Sequence, residues 1–193
     1  MTRTKSLEAL LEGLRSPSAD VKYGSAKSLR LLSEQSPDRL YPHFDLFFAL
    51  FEGGNTFLRW GATRILGNLA AVDREGKLEA AFDRFFAPIP GHEMIGAANV
   101  MAAAAQLALA KPALADRIAG EILKVERATY RTPECRNVAI GHAVKSLELF
   151  MPHVTRRRPV IEFVQRQIEN PRPPTRRKAE RFLKRWHFEP AAK

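Results

Sequence analysis

Residues 22–25 read Lys22-Tyr23-Gly24-Ser25, and 37 residues further on the chain reads Arg59-Trp60-Gly61-Ala62. A cation, an aromatic, a glycine and a small residue recur in the same order. The register continues at Gly96, Arg136 and Arg176, at offsets of 37, 40 and 40 residues. Arg136-Asn137-Val138-Ala139 and Arg176-Arg177-Lys178-Ala179 keep the cation and the small fourth residue, whereas the stretch at Gly96 has lost the cation. Self-similarity at such a period marks a repeat architecture, in which one supersecondary unit stacks on the next.

A second register agrees. Leu7, Leu11 and Leu14 map, 37 residues on, to Phe44, Phe48 and Phe51, then to Ala81, Phe85 and Pro88, then to Ile118, Ile122 and Val125. Spacings of four and three put each trio on one helical face, so Leu11, Phe48, Phe85 and Ile122 are expected at equivalent buried sites. No segment alternates with the period of a strand. Each repeat therefore holds two helices. The first helices are expected near residues 5–15, 38–52, 73–87, 112–128 and 157–169, and the second near 19–35, 56–71, 92–110, 134–150 and 175–187. Ser36-Pro37-Asp38 and Thr132-Pro133-Glu134 each supply a cap, a first-turn proline and an acid at the positive helix end. Asn55 is a candidate cap for the second helix of the second repeat. Gly53-Gly54, Pro90-Gly91 and residues 171–174 mark turns.

The pattern of Asp20-Val21-Lys22 followed by Ser25-Ala26 and Leu29 resembles the second helix of a HEAT repeat, as does Leu58-Arg59 followed by Ala62, Ile65, Leu66 and Gly67. The third repeat departs from it with Gly96 in place of the cation, and the fifth with Thr175 in place of the usual valine. The resemblance spans almost the whole chain. It implies one all-α domain over residues 1–193, an α-α superhelix (a HEAT-like solenoid) of about five helical hairpins. The repeats fall near 1–36, 37–72, 73–111, 112–151 and 152–193. It also implies a scaffold that binds a protein partner through a concave face lined by second helices. Some HEAT-like proteins are DNA glycosylases that read DNA across a basic concave face. The clustered aromatics and cleft carboxylate those enzymes need cannot be aligned here.

The chemistry-bearing residues point away from catalysis. His43, His92, His142, His153 and His187 are scattered, and no zinc-binding spacing occurs among them. The chain has neither a phosphate-cradling glycine loop nor a nucleophile elbow. Glu8, Glu12, Asp73, Glu75 and Glu79 are expected on outward helix faces. Cys135, the single cysteine, cannot form an internal disulfide, reads as a small packing residue, and fits a reducing cytoplasm. The uncharged run Met94–Ala110 has 17 residues, mostly alanine, with Asn99 and Gln106 inside it. A spanning helix needs about 20 strongly apolar residues, so this run is expected to be a buried helix of a soluble stack. The reading is thus a non-enzymatic scaffold with no cofactor.

Charge is uneven. Residues 1–150 carry 19 basic and 17 acidic side chains, and residues 151–193 carry 12 basic and 4 acidic. Arg156-Arg157-Arg158 precede one expected helix, while Arg176, Arg177, Lys178, Arg181, Lys184 and Arg185 decorate the next. On that last helix Ala179, Phe182, Leu183 and Trp186 form the apolar stripe. The candidate partner-binding residues are Arg59, Trp60, Arg136, Arg156, Arg157, Arg158, Arg176, Arg177, Arg181, Lys184 and Arg185. The column of Lys22, Arg59, Arg136 and Arg176 has two readings: a structural ladder bonded to acids or helix ends, or a row of phosphate or carboxylate contacts. Trp60 and Tyr23 either pack between repeats or anchor a partner from an exposed face. The alternative to a protein partner is nucleic acid, bound by the basic last repeat and the arginine column.

Overall fold

The computed structural model describes residues 6–186. Among them all regular structure is helical: eleven α-helices joined by short 3-10 turns, with no strand. The chain divides into two compact units, residues 1–80 and 81–193.

The first unit contains α1 (Leu7–Gly13), α2 (Ala19–Gln35), α3 (Phe44–Glu52), α4 (Thr56–Leu69) and α5 (Lys77–Ala80). α1 packs on α2, α3 on α4, and α2 on α4. Two polar side chains fix helix starts: the Ser6 hydroxyl accepts from the Ala9 N–H, and the Asn55 side chain accepts from the Leu58 N–H at 3.1 Å. Leu29, Phe47, Leu58 and Leu66 fill the core. Phe48 is buried as the repeat register requires, but Leu11 is only half-buried. Leu10 is buried in its stead, beside Leu14 of the expected trio, and α1 turns Gly13 toward α2. There a Cβ on Gly13 would stand 2.2 Å from the Ser25 hydroxyl oxygen.

The first helices are shorter than their periodicity predicts, and two of them break at identifiable residues. The segment expected as one helix over 38–52 opens with 3-10 turns at Pro37–Arg39 and Tyr41–His43 before α3 begins. Pro42 has no N–H to give, and its ring disfavours helical backbone at Tyr41. The segment expected over 73–87 is broken at its start by Asp73, which is buried rather than outward. Its carboxylate accepts from the Lys77 N–H at 2.8 Å, the Leu78 N–H at 3.1 Å and the Tyr41 hydroxyl at 2.7 Å. Gly76, at φ +71°, supplies the left-handed turn that lets these donors converge. Burial and the Asp73 hydrogen bond together push the Tyr41 phenol up to about 12.

The second unit contains α6 (Phe82–Phe86), α7 (Met94–Ala110), α8 (Ala115–Leu123), α9 (Pro133–Phe150), α10 (Arg157–Arg166) and α11 (Pro173–Arg185). The second helices pack in series, α7 on α9 and α9 on α11. Of the first helices, α8 packs on α10 and also against α7 and α9. Phe85 and Ile122 are buried as expected. α7 matches the uncharged run residue for residue, with Ala97, Met101, Ala104, Ala105, Leu107 and Ala108 almost wholly buried. No described helix is long and apolar enough to cross a membrane. Thr132 caps α9 through the Cys135 N–H at 3.1 Å, leaving Cys135 half-buried in the first turn. Glycine at position 96 follows from the cap of α7. Glu93 accepts from the Gly96 N–H at 3.2 Å, and a Cβ there would lie 2.7 Å from the same carboxylate.

Candidate interaction surfaces

The cation column separates into two kinds of residue. Arg59 donates through Nε to the Gly53 carbonyl at 3.2 Å, and Arg176 donates through Nη1 to the Asn170 carbonyl at 3.1 Å. Each reaches the carbonyl six residues back, in the turn before its own helix, so both make local helix-end contacts. Arg136 stands in the same register but is exposed, and its side chain makes no hydrogen bond or ion pair among the described residues.

The first unit presents an aromatic surface on α2 and α4. Phe57 is 65% exposed and Tyr23 39% exposed. Their ring centroids lie 5.5 Å apart, and Phe57 meets Trp60 edge-on at 5.6 Å. Tyr23 also accepts a hydrogen bond from the Asn55 amide at 3.2 Å, which ties the ring to the start of α4. Trp60 is half-buried, and its indole N–H is enclosed with no hydrogen-bond partner among the described residues. Gly24 and Gly61 recur at one repeat position within α2 and α4, and a Cβ on either would meet nothing within 4 Å. Gly61 lines a small apolar pocket with Leu14, Leu29, Phe47 and Leu58; packing inside the unit does not explain Gly24, although a mid-helix glycine costs about 0.5–1 kcal/mol relative to alanine.

In the second unit the Arg156-Arg157-Arg158 run lies at the start of α10 and is mostly partnered. Arg158 pairs with Glu162 at 2.7 Å, and the Arg156 guanidinium stands 3.6 Å from Asp116. Burial alone would raise the Asp116 carboxyl. Bonds from the Thr155 hydroxyl and from the Arg156 and Thr155 N–H groups hold it below its ordinary value. Arg157 donates to the Val154 carbonyl at 3.1 Å, and its guanidinium lies 5.9 Å from the Trp186 ring, as does that of Arg185.

The densest positive charge lies along the α9–α11 seam. From α11, Lys178 donates to the Gly141 carbonyl at 2.9 Å. Arg181 and Arg185 reach the nearly buried Glu148 of α9 at 3.5 and 3.4 Å. Arg172, just before α11, pairs with Glu134 at 2.9 Å. His142 and Lys145 approach from α9. Burial first, and then the charges of Lys178, Lys145 and Arg172, keep the His142 imidazole below its ordinary value. Burial, Lys145, Arg172 and Arg181 likewise depress the Lys178 ammonium. Lys145, Arg177 and Lys184 are exposed and have no acidic partner among the described residues.

Sequence reasoning picked out Trp60 and the α11 cations but missed Phe57, His142, Lys145 and Glu148 as parts of these surfaces. Phe57 had a signal: it occupies the repeat position of Asp20, an outward one. For Glu148 there was none, because its partners lie 33 and 37 residues away in sequence. Among the described residues no group of three His, Cys, Asp or Glu is placed to hold a metal. No protein-family model matches the chain, and no curated protein matches it.

Proposed function

We propose that the chain is a non-enzymatic binding scaffold, a HEAT-like solenoid whose second helices carry the recognition surface, and that it engages a protein partner through Tyr23, Phe57 and Trp60. The observation that carries this reading is Phe57, left 65% exposed beside two further aromatic rings. Aromatics of this kind dominate interface energetics when a partner covers them, because they bury a large area for little lost side-chain freedom. Gly24, exposed on α2 beside Tyr23, supports it independently: it keeps the helix surface low enough for another backbone to approach. The partner chemistry implied is a segment presenting apolar side chains to the rings.

The test is affinity purification from the native cell, with nuclease present, comparing the parent with a Y23A/F57A variant. Truncating a covered aromatic anchor weakens binding by about 2 kcal/mol or more. The reading predicts a protein retained by the parent and lost by the variant. Identical sets of proteins from both would contradict it.

A further inference from the structure

We propose that the α9–α11 seam is a binding site for the phosphate backbone of duplex nucleic acid, contacted by Lys145, Arg177, Lys178, Arg181, Lys184 and Arg185. This surface belongs to the second unit and does not depend on the aromatic surface of the first.

The argument begins with where the negative charge has gone. Residues 81–193 carry 20 basic and 11 acidic side chains. Along the seam the acids of α9 are already engaged, and Glu180 is the single acid on α11 itself against six cations. Glu134 is paired with Arg172 at 2.9 Å, and Glu148 lies 9% exposed beneath Arg181 and Arg185. One nearly buried carboxylate faces two guanidinium groups at 3.4 and 3.5 Å, so positive charge is left over at the surface. Lys178 is satisfied by a neutral carbonyl rather than an acid. Lys145, Arg177 and Lys184 have no acid to pair with among the described residues. Holding cations together in this way opposes folding through like-charge repulsion, and an external anion relieves it.

The shape of the charge selects the class of anion. Lys178, Arg181 and Arg185 are spaced by three and four on α11, so they form one stripe. At about 1.5 Å per helical residue the stripe runs for about 10 Å, the axial length of about three phosphates on one strand of a duplex. A row of cations with guanidinium forks suits regularly spaced phosphates, whose oxygens accept bidentate arginine contacts. The row has no Asn or Gln to read adenine, and a phosphate-directed row positions a duplex without specifying its sequence, so the binding proposed is to backbone. An acidic peptide and an anionic membrane are the competing occupants, and the test separates them.

The experiment is fluorescence anisotropy with the full chain and a mixed-sequence DNA duplex of about 20 base pairs, titrated across salt from about 50 mM upward. The stripe alone, at about three phosphates, gives a slope near −2.7 in log K against log salt, and the further contacts of Lys145 and Arg177 steepen it by up to about one each. The K145Q/R177Q variant changes only exposed side chains without acidic partners. It should lower affinity on all sequences and flatten the slope by about one for each phosphate no longer neutralised. E148Q should do the opposite: it frees Arg181 and Arg185 and tightens binding severalfold. Circular dichroism establishes that both variants are folded. Several results would overturn the site: no binding near 50 mM salt, or binding unchanged by K145Q/R177Q. Binding abolished instead by R156Q/R158Q would do the same. Polyglutamate or phosphatidylserine vesicles bound more tightly than DNA through the same residues would assign the seam to an acidic protein or a membrane and refute the nucleic-acid claim.

Discussion

Lys178 places its ammonium 2.9 Å from the carbonyl of Gly141, and the two helices meet there with no room to spare. A Cβ on Gly141 would lie 2.7 Å from the Thr175 hydroxyl oxygen, which itself donates to the Asn137 carbonyl at 2.8 Å. G141A should therefore push α11 away from α9 and destabilise the chain by about 1–3 kcal/mol, read as a lower urea midpoint. Gly120 is the control. A Cβ there meets nothing within 4 Å, so G120A should leave stability unchanged or raise it by up to about 1 kcal/mol. Equal effects at the two positions would remove the packing argument.

Gly24 and Gly61 give the opposite expectation. Each lies inside a helix with open space where a Cβ would stand. Replacing either by alanine should stabilise the chain by about 0.5–1 kcal/mol in urea denaturation. G24A should also weaken capture of the partner predicted for the aromatic surface. Stabilisation with unimpaired capture would mean that no partner backbone passes over Gly24.

The alanines of α7 are a third site. Ala103 and Ala105 are both buried, Ala105 completely. Adding three carbons at either buried position overpacks the interior around α7, and A105L should cost about 1–3 kcal/mol. Unchanged melting of A103L and A105L would place α7 at the edge of its unit rather than inside it.

His142 makes stability depend on pH. Its folded value is depressed by burial and by Lys178, Lys145 and Arg172, so the unfolded chain takes up the proton first as pH falls. Stability from the neutral imidazole is full above the unfolded value of about 6.5 and is lost as pH falls through the folded value. The loss approaches about 1.4 kcal/mol for each unit of depression. Comparing urea midpoints at pH 7.5 and 5.5, the parent should lose more stability than H142N. Equal losses would mean that the imidazole is not held neutral.

Much of the fold was legible because its signals are local. α7 could be read to its ends because Glu93 and Lys111 bracket an uncharged run, and α2 because its cation, glycine and leucines share one period. The breaks at Pro42 and Asp73 were missed for different reasons. The proline cue lay inside an apolar helical pattern, and the burial of Asp73 depends on Tyr41, 32 residues earlier. The surfaces were less legible. Periodicity told that Arg59 and Arg176 recur, but not that each turns back to a carbonyl six residues away. The seam charge is legible only once α9 and α11 are side by side, because its cations come from both helices and its buried carboxylate from one.

The most direct measurement of the proposed function replaces Phe57 with a photoreactive phenylalanine analogue in the native cell. A second strain carries the analogue at Asp45, an exposed position on α3. The account predicts a discrete protein crosslink from position 57 that is absent from position 45 and survives nuclease treatment. No crosslink at position 57, the same crosslinks from both positions, or a species removed by nuclease would contradict a protein partner on the aromatic surface.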